Sequence, residues 1–196
     1  MKALSVFPLL LLPCCLALAQ AKHDYVWLFG TPTDDTASIY GTNVMNFNGG
    51  DLEIQKQFLD TYFYVTNASI CDKNGNLLFY TNGCYIADAS HQIMQNGSGL
   101  NPGIIYSSNC PDDGYTSSNG AIILPQPGSS KNYFLFHVAK TIGVASPFLI
   151  YHDKMYYTVV DMALNNNLGA VTAKNQLIIQ DSLNGSILSA TRHANK

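Results

Sequence analysis

Residues 70–83, which read ICDKNGNLLFYTNG, constrain the fold of this chain more than any other stretch. They contain two short apolar runs joined by Asn74-Gly75, a dipeptide that favours a type I′ hairpin turn because both residues tolerate positive φ. The second run, LLFYT at 77–81, has the apolar and aromatic composition of a strand in a packed sheet. The stretch therefore predicts a β-hairpin, with a second turn at Asn82-Gly83.

The first 21 residues have the features of a secretory signal peptide. Lys2 supplies the positive start, residues 4–18 form a short and mostly apolar stretch, and AQA at 19–21 matches an A-x-A cleavage site. The stretch is too short for a membrane span. A lipid anchor on Cys15 is the alternative, although the preceding Pro-Cys matches a lipobox poorly. We expect residues 22–196 to form one exported domain, extracellular or on the outer cell surface.

The charge of the chain argues against two classes of partner. Its formal net charge is −3 and it contains no basic run, so neither nucleic acid nor an anionic membrane is an expected partner. Only 12% of the residues are charged, whereas Asn, Ser, Thr, Gly and Tyr are abundant. This composition favours strands and turns over helices.

Three cysteines follow the signal peptide: Cys71, Cys84 and Cys110. Export permits a disulfide. Cys84 and Cys110 both lie beside turn residues, and a bond between them would tether the stretch from about residue 87 to 109, so this pair is favoured among the possible pairings. Cys71 lies in a predicted strand, where a free thiol packs as a small apolar side chain. The spacings match no zinc site.

Short strand-like runs separated by turn residues follow one another along the domain. They cover residues 25–30, 44–47, 51–58, 66–71, 76–81, 84–87, 119–124, 132–138, 148–152, 155–162, 175–180 and 187–193. The runs at 148–152 and 155–162 are expected to form a hairpin that turns at Asp153-Lys154. Residues 88–118 resemble a long loop, which is uncommon in a compact domain and often functional. No helical periodicity of useful length occurs.

Two parts of the chain resemble each other. Ile70 and Ile123 are 53 residues apart, and Phe79 and Phe134 are 55 apart. A glycine-containing turn separates Ile70 from Phe79, and another separates Ile123 from Phe134. A period near 50 residues with about four strands is typical of propeller blades, although a β-sandwich also has evenly spaced strands. The repeat favours an all-β fold, a partial β-propeller with two to three blades of antiparallel four-stranded sheets.

Six segments match, in order, the pattern of a known family. They are WLFG at 27–30, ICDKNGNLLFYTNG at 70–83, HQIMQNG at 91–97, PQPGS at 125–129, VVDMALNNNLG at 159–169 and ATRHAN at 190–195. In these segments the chain resembles the N-terminal β-propeller region of large secreted proteins of Bacteroidetes-type bacteria. Many of those proteins carry a C-terminal sorting domain for the type IX secretion system. The resemblance implies propeller architecture and export, but no activity and no catalytic residue.

The chain departs from that family in one respect. The family's proteins continue for hundreds of residues after the segment at 190–195, whereas this sequence stops at Lys196. Two to three blades do not close a ring, and an open ring exposes unpaired strand edges. We therefore expect an incomplete ring, with the remaining blades of a longer parent chain as partners.

Asp72, Asn74 and Asn76 place oxygen side chains at alternate positions, as a calcium loop does. The EF-hand pattern, however, needs a glycine directly after Asn76 and a glutamate further on, and this chain has neither. A hairpin turn in which Asp72 bonds to backbone amides is the favoured interpretation. Calcium is the one cofactor that the sequence raises.

The histidines follow no metal-ligand spacing, since no His-x-His pair and no helical i, i+4 pair occurs. The resemblance places Arg192-His193 at a fixed point of the repeat, where a bond between blades is the favoured role and a ligand contact the alternative. His91 begins another of the matching segments. We therefore take Arg192, His193 and His91 as candidate ligand-binding residues.

The sequence contains none of the common catalytic motifs, neither G-x-S-x-G, nor H-E-x-x-H, nor G-x-x-x-x-G-K. Its 12 tyrosines suit recognition of sugars or proteins, because each ring has an apolar face and a hydroxyl. We expect a non-catalytic module for binding or adhesion, with an extracellular glycan or protein as its partner. The alternative is a fragment of a secreted carbohydrate-active hydrolase whose site is completed by the missing blades.

Overall fold

The computed structural model describes residues 21–32, 40–143, 149–183 and 188–191. Within these ranges the chain forms eleven β-strands, one short α-helix and one 3₁₀ turn, so the expectation of an all-β fold is confirmed. None of the described helices is long and apolar enough to cross a membrane. The predicted signal peptide, residues 1–21, lies outside the described residues, apart from Ala21.

The strands form three antiparallel groups in chain order, which we call sheets A, B and C. Sheet A contains β1 (Val26–Gly30), β2 (Thr42–Asn46) and β3 (Glu53–Gln57). Sheet B contains β4 (Ala68–Cys71), β5 (Leu77–Thr81), β6 (Tyr85–Asp88) and β7 (Ile93–Ser98). Sheet C contains β8 (Ala121–Pro125), β9 (Asn132–Ile142), β10 (Ile150–Asp161) and β11 (Ala170–Leu183).

Sheets B and C are joined at one edge. Gln95 of β7 and Ala170 of β11 form a parallel bridge, so the eight strands make one mixed sheet in the order β4-β5-β6-β7-β11-β10-β9-β8. Sheet A is separate, and its edge strand β3 is almost entirely exposed. The helix α1 (Ile104–Asn109) lies between sheets B and C in sequence, and the 3₁₀ turn Asn165–Asn167 connects β10 to β11.

Sheet B is buried on both of its faces. On one face Ile70, Phe79 and Ile86 pack with Ile123 and Leu135 of sheet C in one apolar cluster. On the other face Cys71, Tyr80 and Ala87 pack with Val26 and Leu28 of sheet A. Because strand residues alternate between faces, the near-continuous apolar runs of sheet B serve both interfaces.

The hairpin at residues 70–83 forms, but its turn differs from the expected one. The predicted type I′ turn is wrong, because Gly75 is the only residue of the Asn74-Gly75 pair with positive φ (91°). The Gly75 amide donates to the Asp72 carbonyl over 3.1 Å, and the register shifts between Ile70 and Cys71. The Asp72 carboxylate accepts the Asn74 amide, which holds a type I turn followed by a glycine bulge.

Two other expectations about strands are wrong. The proposed turn at Asp153-Lys154 lies inside the continuous strand β10, where the register shifts between His152 and Lys154 as in a β-bulge. The proposed loop at 88–118 contains the strand β7 and the helix α1. Pairing of β7 with β6 determines its conformation there, although the segment lacks the alternation that marks a strand from sequence.

The strand register differs between the two sets of residues that suggested a repeat. Ile70 pairs with Phe79 across β4 and β5, and Ile123 occupies the matching strand β8. Ile123, however, pairs with Leu135, whereas Phe134 pairs with Leu124. Ile123 and Phe134, which were matched to Ile70 and Phe79 from the sequence, therefore lie on opposite faces of sheet C. The last expected strand, residues 187–193, lies partly outside the described residues, and no strand is formed at 188–191.

Cys84 and Cys110 are joined by a disulfide, with their Cα atoms 5.5 Å apart. The bond links the residue before β6 to the residue after α1, and Cys84 packs with Ile105 and Tyr115 in a third apolar cluster. Cys71 is a buried free thiol, and burial raises its pKa to about 11. The thiol is thus protonated at neutral pH and acts as an apolar side chain.

The tip of the hairpin generates a stability prediction. A Cβ at Gly75 would overlap the side chain of Asn48, whose Nδ2 donates to the Gly75 carbonyl over 2.8 Å. We expect Gly75→Ala to lower the free energy of unfolding by about 2 kcal/mol, from positive-φ strain and loss of this hydrogen bond. Urea unfolding followed by circular dichroism measures the change.

Gly50→Ala is the matched control for this prediction. Gly50 has the same φ of 91°, but a Cβ there meets no atom within 4 Å. Gly50→Ala should lower the free energy of unfolding by only about 1 kcal/mol, from the strain of a positive φ. Equal losses in the two variants would contradict the role given to Asn48.

Candidate functional site

The three residues that were predicted as a calcium loop, Asp72, Asn74 and Asn76, lie close together, but they form hydrogen bonds with one another. One Asp72 carboxylate oxygen accepts the amides of Asn74 (2.7 Å) and Asn76 (3.0 Å), and the other accepts Asn76 Nδ2 (2.9 Å). Burial by itself would raise the pKa of Asp72, but these hydrogen bonds hold it below its usual value. No group of three or more His, Cys, Asp and Glu residues suited to a metal ion occurs in the described part of the chain.

His91 lies in the turn between β6 and β7, with φ of 65°. Its Nδ1 is 3.3 Å from the Tyr80 hydroxyl, and Thr61 Oγ1 lies near the hydroxyls of both Tyr80 (3.4 Å) and Tyr85 (3.0 Å). Burial lowers the pKa of His91 and raises that of Tyr80 to about 12, so both side chains are neutral near pH 7. These contacts of His91, Tyr80 and Tyr85 link sheet B to Thr61, which lies in the segment before β4.

The other two candidate ligand-binding residues, Arg192 and His193, lie outside the described residues. The structure therefore does not place them beside His91. Their proposed role in ligand contact stays a prediction from the resemblance.

A serine–histidine pair is present that the sequence did not indicate. Ser117 Oγ and His152 Nε2 are 2.7 Å apart, although the two residues are 35 positions apart in the chain. Ser117 is fully buried, its amide bonds to Thr66 Oγ1, and its carbonyl accepts the hydroxyl of Thr66. A nucleophile needs space for a substrate beside its oxygen. Neither Ser117 nor His152 lines a cleft described below, and the pair ties the segment before β8 to sheet C.

A second buried polar cluster lies at the boundary of sheets B and C. His137 is fully buried, with its Nδ1 2.6 Å from Asn101 Oδ1 and its Nε2 2.9 Å from Thr158 Oγ1. Asn101 donates to the Gly83 carbonyl, and Asn175 accepts the Asn101 amide. We call these residues the His137 cluster. It connects the β5–β6 turn with β9, β10 and β11, and every ring nitrogen of the histidine has a partner.

The His137 cluster generates a pH prediction. Burial lowers the pKa of His137 to about 3, whereas an imidazole in the unfolded chain titrates near 6.5. Between these values the unfolded chain binds a proton that the folded protein does not. The free energy of unfolding should therefore fall as the pH is lowered from about 6.5 towards 3. Above about pH 6.5, His137 should cause no loss of stability.

His137→Gln keeps a polar side chain but removes this titration. We expect a flatter dependence of the free energy of unfolding on pH between about 6.5 and 3 in this variant. Urea unfolding at several pH values measures it, and His91→Gln is the control, with a smaller effect because His91 is only half-buried. An unchanged slope in His137→Gln would contradict the assignment.

An aromatic cleft on sheet A is the best candidate for a binding site. It has a volume of about 500 Å³ and is lined by Lys22, Asp24, Tyr25, Trp27, Phe47, Asn48 and Gly50. The Trp27 side chain is 50% exposed. Its ring packs edge-on against Phe47 with centroids 5.5 Å apart. Its Nε1 donates to the Asp24 carbonyl over 2.7 Å, which fixes the indole orientation.

Strand alternation explains why Trp27 is exposed. Val26 and Leu28 point towards sheet B and are buried, so the residue between them points to the opposite face of sheet A. Met45 of β2 pairs with Trp27. Polar groups surround the rings: the Lys22 ammonium lies 4.9 Å from the Tyr25 ring centroid, and Asp24 is exposed.

Two further clefts lie beside segments singled out in the sequence. One, of about 380 Å³, lies between the turn at 72–74 and the PQPGS turn, with Tyr133 and Lys131 in its wall. The other, of about 270 Å³, adjoins Trp27 and is bordered by residues 67–69. From the sequence, Trp27 was predicted only as part of the strand run at 25–30 and of the matching segment at 27–30. The sequence feature that could have indicated the aromatic cleft is a tryptophan between two apolar residues of a strand with one buried face.

No protein family, curated protein or solved structure matches this chain.

Proposed function

We propose that this chain is a segment of a secreted or cell-surface β-propeller that binds extracellular glycans, without catalysis, in the aromatic cleft of sheet A. The observation that carries the proposal is the half-exposed Trp27 held against Phe47 beside Tyr25. A large aromatic surface exposed in a cleft is costly for folding alone, and exposed apolar patches usually mark binding sites.

The arrangement of the sheets supports the propeller interpretation. Sheets A, B and C stack in chain order, and sheets B and C are each four-stranded antiparallel meanders. The first strands of the three sheets, β1, β4 and β8, are neighbours in that order. Consecutive meanders stacked face to face, with their first strands adjacent, are what successive blades of a propeller require. Remaining blades in a longer parent chain belong to the same proposal.

The chemistry of the cleft fits a sugar better than a charged or wholly apolar ligand. Aromatic faces pack against the C–H faces of a pyranose, and groups such as the Asp24 carboxylate, the Asn48 amide and the Lys22 ammonium suit its hydroxyls. The opposite charges of Lys22 and Asp24 give the cleft no strong potential of one sign.

Replacement of Trp27 tests this function. We expect Trp27→Ala to weaken binding to an array of neutral and amino-sugar oligosaccharides at least tenfold, equivalent to about 1.4 kcal/mol, because the main stacking surface is lost. Tyr64→Ala is the control, since Tyr64 is 58% exposed but lies outside the cleft. Binding that is equally weakened in both variants, or absent from the wild-type protein, would contradict the glycan proposal.

The hydrolase alternative makes a different prediction for the same oligosaccharides. A glycosidase would release products from them, and Asp24→Asn would abolish turnover if the cleft were its site. Product release measured over hours by chromatography distinguishes the two functions. Turnover that a single carboxylate substitution removes would overturn the non-catalytic proposal.

A further inference from the structure

The cleft of about 380 Å³ lies where the ends of sheets B and C meet. One wall is the turn at 72–74, between β4 and β5, and the other is the segment from Pro125 to Lys131, between β8 and β9. His23 also lines it, and its Nδ1 donates to the Cys71 carbonyl over 2.7 Å. We call this space the turn cleft. It lies at the ends of the strands, apart from the outer faces of sheets A and C on which further sheets would stack.

Tyr133 of β9 brings an unpaired hydroxyl to the turn cleft. The residue is only 4% exposed, and its ring packs edge-on against Phe79 with centroids 5.7 Å apart. Buried tyrosine hydroxyls usually find a hydrogen-bond partner. In the described part of the chain this hydroxyl has none. Burial raises the pKa of Tyr133, so the hydroxyl keeps its proton near pH 7 and remains a donor.

Ser129 supplies a second hydroxyl whose free position is a donor. Its Oγ accepts the amides of Lys131 (3.2 Å) and Asn132 (3.0 Å). A serine hydroxyl has two acceptor positions and one proton. Both acceptor positions are filled, so only the proton is left for a further partner. A ligand atom that meets the Ser129 hydroxyl therefore has to accept a hydrogen bond.

Lys73 and Lys131 bring two ammonium groups to the turn cleft, one from each wall. Both residues are exposed, and neither forms a salt bridge with a residue that the structure describes. Asp72 also lines the cleft, but its carboxylate accepts hydrogen bonds from Asn74 and Asn76 within its own turn. The cleft thus has two unpaired positive charges and one engaged negative charge, in a chain whose formal net charge is −3.

We propose that the turn cleft binds the carboxylate or sulfate group of an acidic glycan. Two ammonium groups and two hydroxyls, from Lys73, Lys131, Ser129 and Tyr133, can all donate to one oxyanion. Charge-assisted hydrogen bonds of this kind are about twice as strong as neutral ones. A calcium ion is disfavoured at the same place, because both ammonium groups would repel it.

The turn cleft adjoins the aromatic cleft of sheet A. Lys22 lines the aromatic cleft, and the next residue, His23, lines the turn cleft. The Lys22 amide lies 3.4 Å from the Lys73 carbonyl, which it donates to. One oligosaccharide that runs from the first cleft to the second would place a neutral sugar on Trp27 and an acidic sugar between the two turns. This assignment rests on the proposed function in taking the oxyanion to be part of a glycan.

Calorimetry on the purified protein with ligands of equal length tests the assignment. The ligands are a neutral oligosaccharide, one that contains a uronic acid, one that carries a sulfate group, and an oligoglutamate peptide. We expect at least one acidic oligosaccharide to bind about tenfold more tightly than the neutral one at low salt, and less so as salt is added. Comparison of the two acidic oligosaccharides identifies the oxyanion.

The failures of the two proposals differ in this experiment. Equal affinity for the neutral and acidic oligosaccharides would overturn the oxyanion site and leave glycan binding in the aromatic cleft intact. Binding of none of the oligosaccharides would contradict both proposals. Tighter binding of oligoglutamate than of either acidic oligosaccharide would overturn the glycan assignment in favour of an acidic peptide.

Single substitutions assign the effect to the turn cleft. Lys73→Gln and Lys131→Gln should each weaken binding of the acidic oligosaccharide about threefold, the size expected for one exposed charge pair, with the neutral oligosaccharide unaffected. Tyr133→Phe should act in the same direction, since it keeps the ring and removes only the hydroxyl. Lys56→Gln is the matched control, because Lys56 is exposed on β3 and lines none of the three clefts. An equal loss in Lys56→Gln would overturn the site in favour of general charge attraction.

Lysine acetylation of the wild-type protein makes the test independent of how the variants fold. Mass spectrometry should show that a saturating acidic oligosaccharide protects Lys73 and Lys131 from acetylation, whereas Lys56 reacts as before. The neutral oligosaccharide should protect neither Lys73 nor Lys131. Absence of protection at these two lysines, or equal protection of all three, would overturn the site.

Discussion

Sheet B is buried on both faces, and this double burial requires a further sheet on each side of it. Phe79 and Ile86 face sheet C, and Tyr80 and Ala87 face sheet A, and all four are fully buried. Each large apolar side chain that is fully buried contributes about 1.5–3 kcal/mol. A sheet that is apolar on both sides cannot be stable alone in water, so the positions of sheets A and C follow from it.

The central position of sheet B also explains why sheets A and C each have one face that is not buried against it. Sheets A and C each bury one face against sheet B, and the opposite faces carry Trp27 and Phe134 respectively. Polar contacts hold the sheets in register: the His137 cluster lies between B and C, and Ser69 Oγ donates to the Val26 carbonyl between B and A. The buried partners of His137 are all satisfied, so this polar group is accommodated without an unpaired donor.

Local sequence patterns predicted the elements that depend on local chemistry. The hairpin at 70–83 and the exposed edge strand β3 follow from turn residues and composition. The errors arose where tertiary pairing overrides local preference. Asp153-Lys154 has turn residues but lies in β10, because β9 and β11 pair with it on both sides of the bulge. The strand β7 has little strand composition and forms by pairing with β6.

The all-β class could be predicted from the sequence alone, since strand alternation and turn chemistry are local properties. Which residues act together depends on the pairing of strands that are distant in sequence. Trp27 meets Phe47 because β1 and β2 pair, and Ser117 meets His152 across 35 residues because the segment before β8 packs on β10. The face on which each residue lies is set by register, and a shift of one residue reverses every side chain in a strand.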